Sequence, residues 1–346
     1  MTSEALTFFG SLTIDDLVFA DGSTRWAVPG GNAAYSALGA SIWCTNVGIV
    51  APLGHDYPWV VLNGRVELSR CRLQEHSLRN WGLYEEDGRR HFISRSSSRN
   101  WANFCPMPSD ARSGVQSAAH VAAMPHYLAV ELIKELRAAG TSLISLDLDD
   151  HDLTGTSSSG RTVDLINAVD VFSPSWQDVL AIVSVEEPTE ALRQLRKLAP
   201  EPRAIVIKCG AGGVFAHMRG TDHWFHVPAA SVDVIDATGA GDAFCGGFLA
   251  RFAHDENLIE SLLCGTVSAS FCIESFGFEE LLSATLSDAL ARLASLRPLV
   301  SSGALGLAHK GGPRTLCSNL WRAKRSGNHD FHPGRFIVNS TSAELW

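Results

Sequence analysis

What most constrains this chain is an alternation of short apolar segments with stretches of helical spacing. ALTFFGSL (5–12), TNVGIVAPLG (45–54), SLISLDLD (142–149) and AIVIKCG (204–210) read as strands by their length and apolar content. Between them a helix opens at Asn32, another spans 128–139 before Gly140, and ALRQLRKLA (191–199) is a third; VDLINAVDVFSPS (163–175) holds helix, strand and loop in turn. Such alternation predicts an α/β fold of three layers, with helices covering both faces of a central, mostly parallel sheet. Two stretches break the rule. VFADGSTRWAVPG (18–30) and NWGLYEEDGRRHFISRSS (80–97), the second turning at Glu86-Asp87-Gly88, predict a small β flap built from residues 15–30 and 80–103.

A chain of 346 residues with 45% hydrophobic composition can bury a core of that size. Its net charge of −9 argues against general affinity for nucleic acid or anionic membrane, so a small-molecule partner is expected. The eight cysteines show no CxxC pair and no zinc-like spacing, which fits thiols in a reducing compartment. MTSEALTFFG lacks the basic start and apolar run of a secretory signal. The uncharged span 26–54 is interrupted by Pro29, Gly30, Gly31, Asn32, Asn46 and Pro52, so a cytoplasmic protein without membrane insertion is expected. Apolar periodicity stops near Leu296, and residues 306–346 carry net +4 against −13 for the remainder. One domain over 1–300 and a basic tail over 301–346, disordered or loosely docked, are therefore expected.

The chemistry concentrates in DATGAGDAFCGGFLA (236–250). Gly239 and Gly241 allow backbone dihedrals closed to other residues, so successive N–H groups can converge on one anion at the start of a helix. Asp242 then raises a question, because a carboxylate stands where a phosphate would be welcome. It fits an ordinary helix cap. It also fits a base that takes a hydroxyl proton while the loop holds a transferring phosphoryl group.

TGAGD with the following AFCGGFLA resembles the C-terminal signature of the ribokinase-like PfkB carbohydrate kinases, and the likeness extends over about residues 5–297. GSLTID (10–15) is similar to the family's opening strand and turn, which implies that Asp15 binds substrate hydroxyls. GGNAAYSALGA (30–40) looks like the double-glycine motif, placing Gly30, Gly31 and Asn32 beside the substrate. VIKCGAGGVFAH (206–217) resembles the strand and glycine loop near the nucleotide phosphates, implying roles for Lys208, Gly210, Gly212 and Gly213. GTVSASFCIESFG (265–277) resembles the helix and turn beside the nucleotide base, with Ser268 and Cys272 as contacts. The resemblance implies ATP and magnesium as cofactors, Asp242 as catalytic base and the Gly239, Ala240 and Gly241 backbone as anion hole. Asp236 and Thr238 match positions that in some members sit beside a monovalent cation such as K+.

The chain departs from the family's pattern at four places. Ser175-Trp176-Gln177-Asp178 stands for Asn-x-x-Glu, leaving Asp178 as the one carboxylate for the magnesium network. His151 stands for a fixed arginine, Tyr35 for a common Asn, and Lys208 for a common Thr. The expected function is transfer of the γ-phosphate of ATP to a hydroxyl of a small sugar or nucleoside, by a monomer or homodimer. The competing reading is a catalytically weak or inactive sugar or nucleotide binder of the same fold, which the departures at Ser175, Tyr35 and His151 motivate.

Overall fold

In chain order the strands are β1 (Leu6–Phe9), β2 (Thr13–Val18), β3 (Thr24–Gly30), β4 (Val47–Val50), β5 (Pro52–Gly54), β6 (Arg72–Gln74), β7 (Leu78–Tyr84), β8 (Arg90–Ser94), β9 (Ala118–Val121), β10 (Leu143–Leu146), β11 (Val171–Phe172), β12 (Ala204–Lys208), β13 (Val214–Met218), β14 (His223–Val227) and β15 (Ser301–Ala304). The helices are α1 (Asn32–Ser41), α2 (Ser98–Trp101), α3 (His126–Ala138), α4 (Ser159–Asn167), α5 (Trp176–Ile182), α6 (Pro188–Leu198), α7 (Ala240–Asp255), α8 (Leu258–Cys272), α9 (Glu279–Ser283) and α10 (Leu286–Leu296). This computed structural model describes residues 5–62, 64–86, 89–96, 98–112, 116–148 and 159–307. The turn residues Asp87 and Gly88, the position of His151 and the basic tail from 308 onward lie outside the described residues.

Nine strands form the central sheet in the order β15-β14-β13-β12-β11-β10-β9-β1-β4. From β4 to β12 all pairings are parallel, and the three beyond β12 are antiparallel. Alternation along each strand builds two cores. Leu6 and Phe8 of β1 enter one with α1, α7, α8 and α10; Phe9 enters the other with α3 to α6. The expected flap is a separate sheet, β3-β2-β7-β8. β15 corrects the domain boundary at 300, because Ser301–Ala304 pairs with β14 and Leu305 is fully buried behind it. Ser-Ser-Gly-Ala offers no apolar alternation, so this edge strand left no periodic signal. No described helix is long and apolar enough to cross a membrane, and no described cysteine forms a disulfide.

The double glycine of AFCGGFLA serves packing. α7 lies against α1 and α8, and a methyl group at Gly246 would overlap the Ser36 carbonyl of α1. Only a glycine lets the two helix backbones approach so closely. Gly246→Ala should therefore destabilise the fold by at least about 1–3 kcal/mol, the range for overpacking. Urea denaturation followed by tryptophan fluorescence measures it, and an unchanged midpoint would refute the close-contact account.

Candidate active site

The carboxyl ends of parallel strands are where an α/β sheet collects its chemistry. Asp147 follows β10, the Ser173-Pro174-Ser175 turn follows β11, and Lys208 ends β12. Lys208 Nζ makes an ion pair with Asp147 and lies 3.6 Å from Cys245 Sγ of α7. Both charged side chains are 10% exposed. Burial pushes the Asp147 carboxyl up against the pull of Lys208, while the pairing holds Lys208 protonated. Lys208 Nζ also packs beside Gly241, so its charge sits next to the glycine loop.

Gly239 is the N-cap of α7, with φ 78°, a left-handed conformation that glycine adopts without strain. The ring of Tyr35 lies directly against its Cα, where any side chain would overlap it. Tyr35 is itself buried and packs edge-on against Phe278 at 4.8 Å. The residue that departs from the family's Asn thus forms the floor of the loop.

Asp242 is the third residue of α7. No hydrogen bond to its carboxylate is found among the described residues, and Lys208 is the cation that acts on it. Desolvation, reinforced by Asp147 and opposed by Lys208, pushes its pKa up to about 7. A carboxylate left unpartnered at a helix start, with its pKa near neutrality, is poised to exchange a proton.

The flap supplies the second carboxylate. Asp15 on β2 accepts from Asn80 Nδ2 of β7 at 2.8 Å and from Thr13 Oγ1 at 3.2 Å. Burial raises its pKa to about 6. Gly30 leaves room for it, since a Cβ there would overlap the Asp15 carboxylate, and the Gly30 carbonyl accepts from Tyr57 at 3.1 Å. Gly31, with φ 113°, caps α1.

The model of the pfkB family carbohydrate kinases matches residues 6–284. The chain belongs to this family. It is a carbohydrate or nucleoside kinase, a phosphotransferase with an alcohol group as acceptor. A cytidine kinase of Thermococcus kodakarensis is 25% identical over 280 residues, 79% of this kinase and 97% of that protein. The structure of Arabidopsis thaliana ribokinase complexed with ribose and ATP superposes with TM-score 0.66 at 17% identity, covering 84% and 99% of the two chains. A fructokinase double mutant from Vibrio cholerae O395, bound to fructose, ADP and a potassium ion, gives 0.68 at 17%, covering 84% and 100%.

Not every expected site residue of the kinase lies beside these carboxylates. The Asn32 amide holds the turn after β1: Oδ1 accepts from Ser11 N–H at 2.8 Å and Nδ2 donates to the Ala123 carbonyl at 2.9 Å. Ser268, expected beside the nucleotide base, is fully buried in the helix seam, donating to the Gly39 carbonyl and accepting from Trp43 Nε1. That burial leaves it no surface for a nucleotide. Cys272 is buried too, its thiol donating to the Thr238 carbonyl at 3.3 Å beneath the loop. Gly210 and Gly212 lie exposed in the turn after β12, and Gly213 closes that turn with φ 78°. Asp178 and Ser175 cap α5 reciprocally, at 2.7 and 3.2 Å. Sequence reading missed Asn80, Asp147 as a partner of Lys208, and Tyr84 and Arg90 of the flap, which contact Asp236.

Proposed function

We propose that the chain transfers the γ-phosphate of ATP to a hydroxyl of a small sugar or nucleoside, with Asp242 as the base. The observation that carries this reading is the Asp242 carboxylate: its pKa is raised by desolvation, no hydrogen bond to it is found among the described residues, and it lies in the first turn of α7 just after the left-handed Gly239. Asp15, with Asn80 and Gly30, orients the acceptor hydroxyls from the flap side. Asp242 takes the proton of the attacking hydroxyl, and the loop amides with Lys208 stabilise charge on the transferring group. The turn at Gly210, Gly212 and Gly213, which follows β12, takes the nucleotide in this reading.

Magnesium fits the donor chemistry at Asp178, whose pKa is pushed up to about 6 by burial and by nearby Asp147, so that added positive charge there is favourable. Bound with the nucleotide, the ion would neutralise phosphate charge. No group of three or more metal-type side chains occurs among the described residues, so nucleotide phosphates would supply most of its ligands.

Purified protein is expected to consume ATP with a member of a panel of sugars and nucleosides that includes cytidine, followed by coupled ADP release. Nucleotide binding without consumption across the panel would favour the inactive-binder reading, to which the engagement of Asp178 in a helix cap lends weight. Because the base must be ionised, and its pKa lies at about 7, kcat/KM should fall about tenfold per pH unit below pH 7 and level off above it. A profile flat down to pH 5 contradicts the role of Asp242.

A further inference from the structure

Arg90 of β8 and Tyr84 of β7 reach from the flap to the carboxylate that the family resemblance pairs with a monovalent cation. A hard cation needs several oxygens with lone pairs to offer. Here those oxygens are engaged. Asp236 Oδ1 accepts from the Thr238 N–H at 2.9 Å and the Thr238 hydroxyl at 2.8 Å, with Arg90 Nη1 at 3.6 Å. Oδ2 accepts from the Tyr84 hydroxyl at 2.9 Å. The Thr238 carbonyl accepts from the Cys272 thiol, and the Ile273 carbonyl takes the N–H groups of both Ile235 and Asp236, at 2.7 and 3.2 Å.

Asp236 is 5% exposed, so its charge has to be met locally. The guanidinium meets it. The flap residue beside it is held by aromatic packing: Tyr84 lies 5.0 Å from Phe19 and 6.0 Å from Phe276. Phe276 follows α8, and Arg25 of β3 covers its ring at 4.5 Å. Both arms of the flap therefore close onto the segment that flanks the glycine loop.

We propose that Arg90, positioned with Tyr84, takes the place of a monovalent cation at Asp236 and Thr238. The residues present do not fit a bound K+, and phosphoryl transfer is independent of it. The inference rests on the kinase reading for its catalytic part, but the charge substitution is testable without turnover. Thermal melting of the full chain is compared in KCl and in choline chloride at equal ionic strength. The wild type is expected to melt at the same temperature in both. Arg90→Ala, and Arg90→Gln as a variant that keeps more of the stem, should each become specifically stabilised by K+, by several degrees when K+ is about 100 times its dissociation constant. If turnover is found, both variants should lose rate in choline chloride and recover it in KCl, while Arg90→Lys stays independent of K+. A K+-specific shift in the wild type, or no gained response in either variant, overturns the proposal. Absence of turnover with these melting responses intact would count against the kinase reading alone.

Discussion

Asp242→Asn is expected to lose at least about 10²-fold in kcat and at the same time to make the protein more stable at pH 8. The rate loss follows from removing a general base. The gain in stability follows from the sign of the pKa shift. A carboxyl raised to about 7 by burial prefers its neutral form in the folded state, so its contribution is favourable below its unfolded pKa and is lost as pH rises through 7. Asparagine removes that cost, on the order of 1–3 kcal/mol once partial solvation is allowed for. The two readings left open by the sequence part here, because asparagine caps a helix about as well as aspartate, so a mere cap would leave stability nearly unchanged at both pH values. Urea denaturation of wild type and variant at pH 5 and pH 8, beside the coupled assay, decides it. A variant no more stable than the wild type at pH 8 and still active would remove Asp242 from the mechanism.

The Lys208 and Asp147 pair gives the second large effect. Lys208→Met leaves the Asp147 carboxylate buried beneath the loop without its counter-charge, which should cost about 3–5 kcal/mol. Adding Asp147→Asn removes the stranded charge, and the double variant should recover most of that stability. It should not recover activity, because the cation beside Gly241 is still missing. Equilibrium denaturation of the wild type, the two single variants and the double gives the coupling energy directly. Additive losses would mean that the two side chains do not act as a pair. Full activity in the double variant would remove Lys208 from phosphoryl stabilisation.

The layers were legible because each depends on local pattern. AIVIKCG is an apolar run that becomes β12, and the small residues after Asp242 become a helix that can lie close to its neighbours. The glycine loop and its carboxylate were legible for the same reason, being contiguous. Lys208 was expected to touch a nucleotide phosphate; its charge lies beside Gly241, and its partner Asp147 stands 61 residues earlier, just after another strand, where no local rule joins them. Tyr84 and Asp236 are 152 residues apart. Asn80 meets Asp15 only because β2 and β7 pair in parallel across 65 residues. Ser268 shows the opposite failure, where its motif position suggested a ligand and the helix seam claimed its hydroxyl.

The flap grows directly out of the central sheet, since only Gly10, Ser11 and Leu12 separate β1 from β2. The β2–β3 hairpin returns at Gly30, in register with Thr13, so both of its ends leave the body at one point, and Asn32 pins that point through Ser11 and Ala123. The hairpin has one covalent root, while β7 along β2 and Arg25 over Phe276 hold the rest of its length. Because α1 starts at that root and packs on α7, a shift at the foot of the proposed acceptor-side hairpin is passed directly to the helix that carries Asp242.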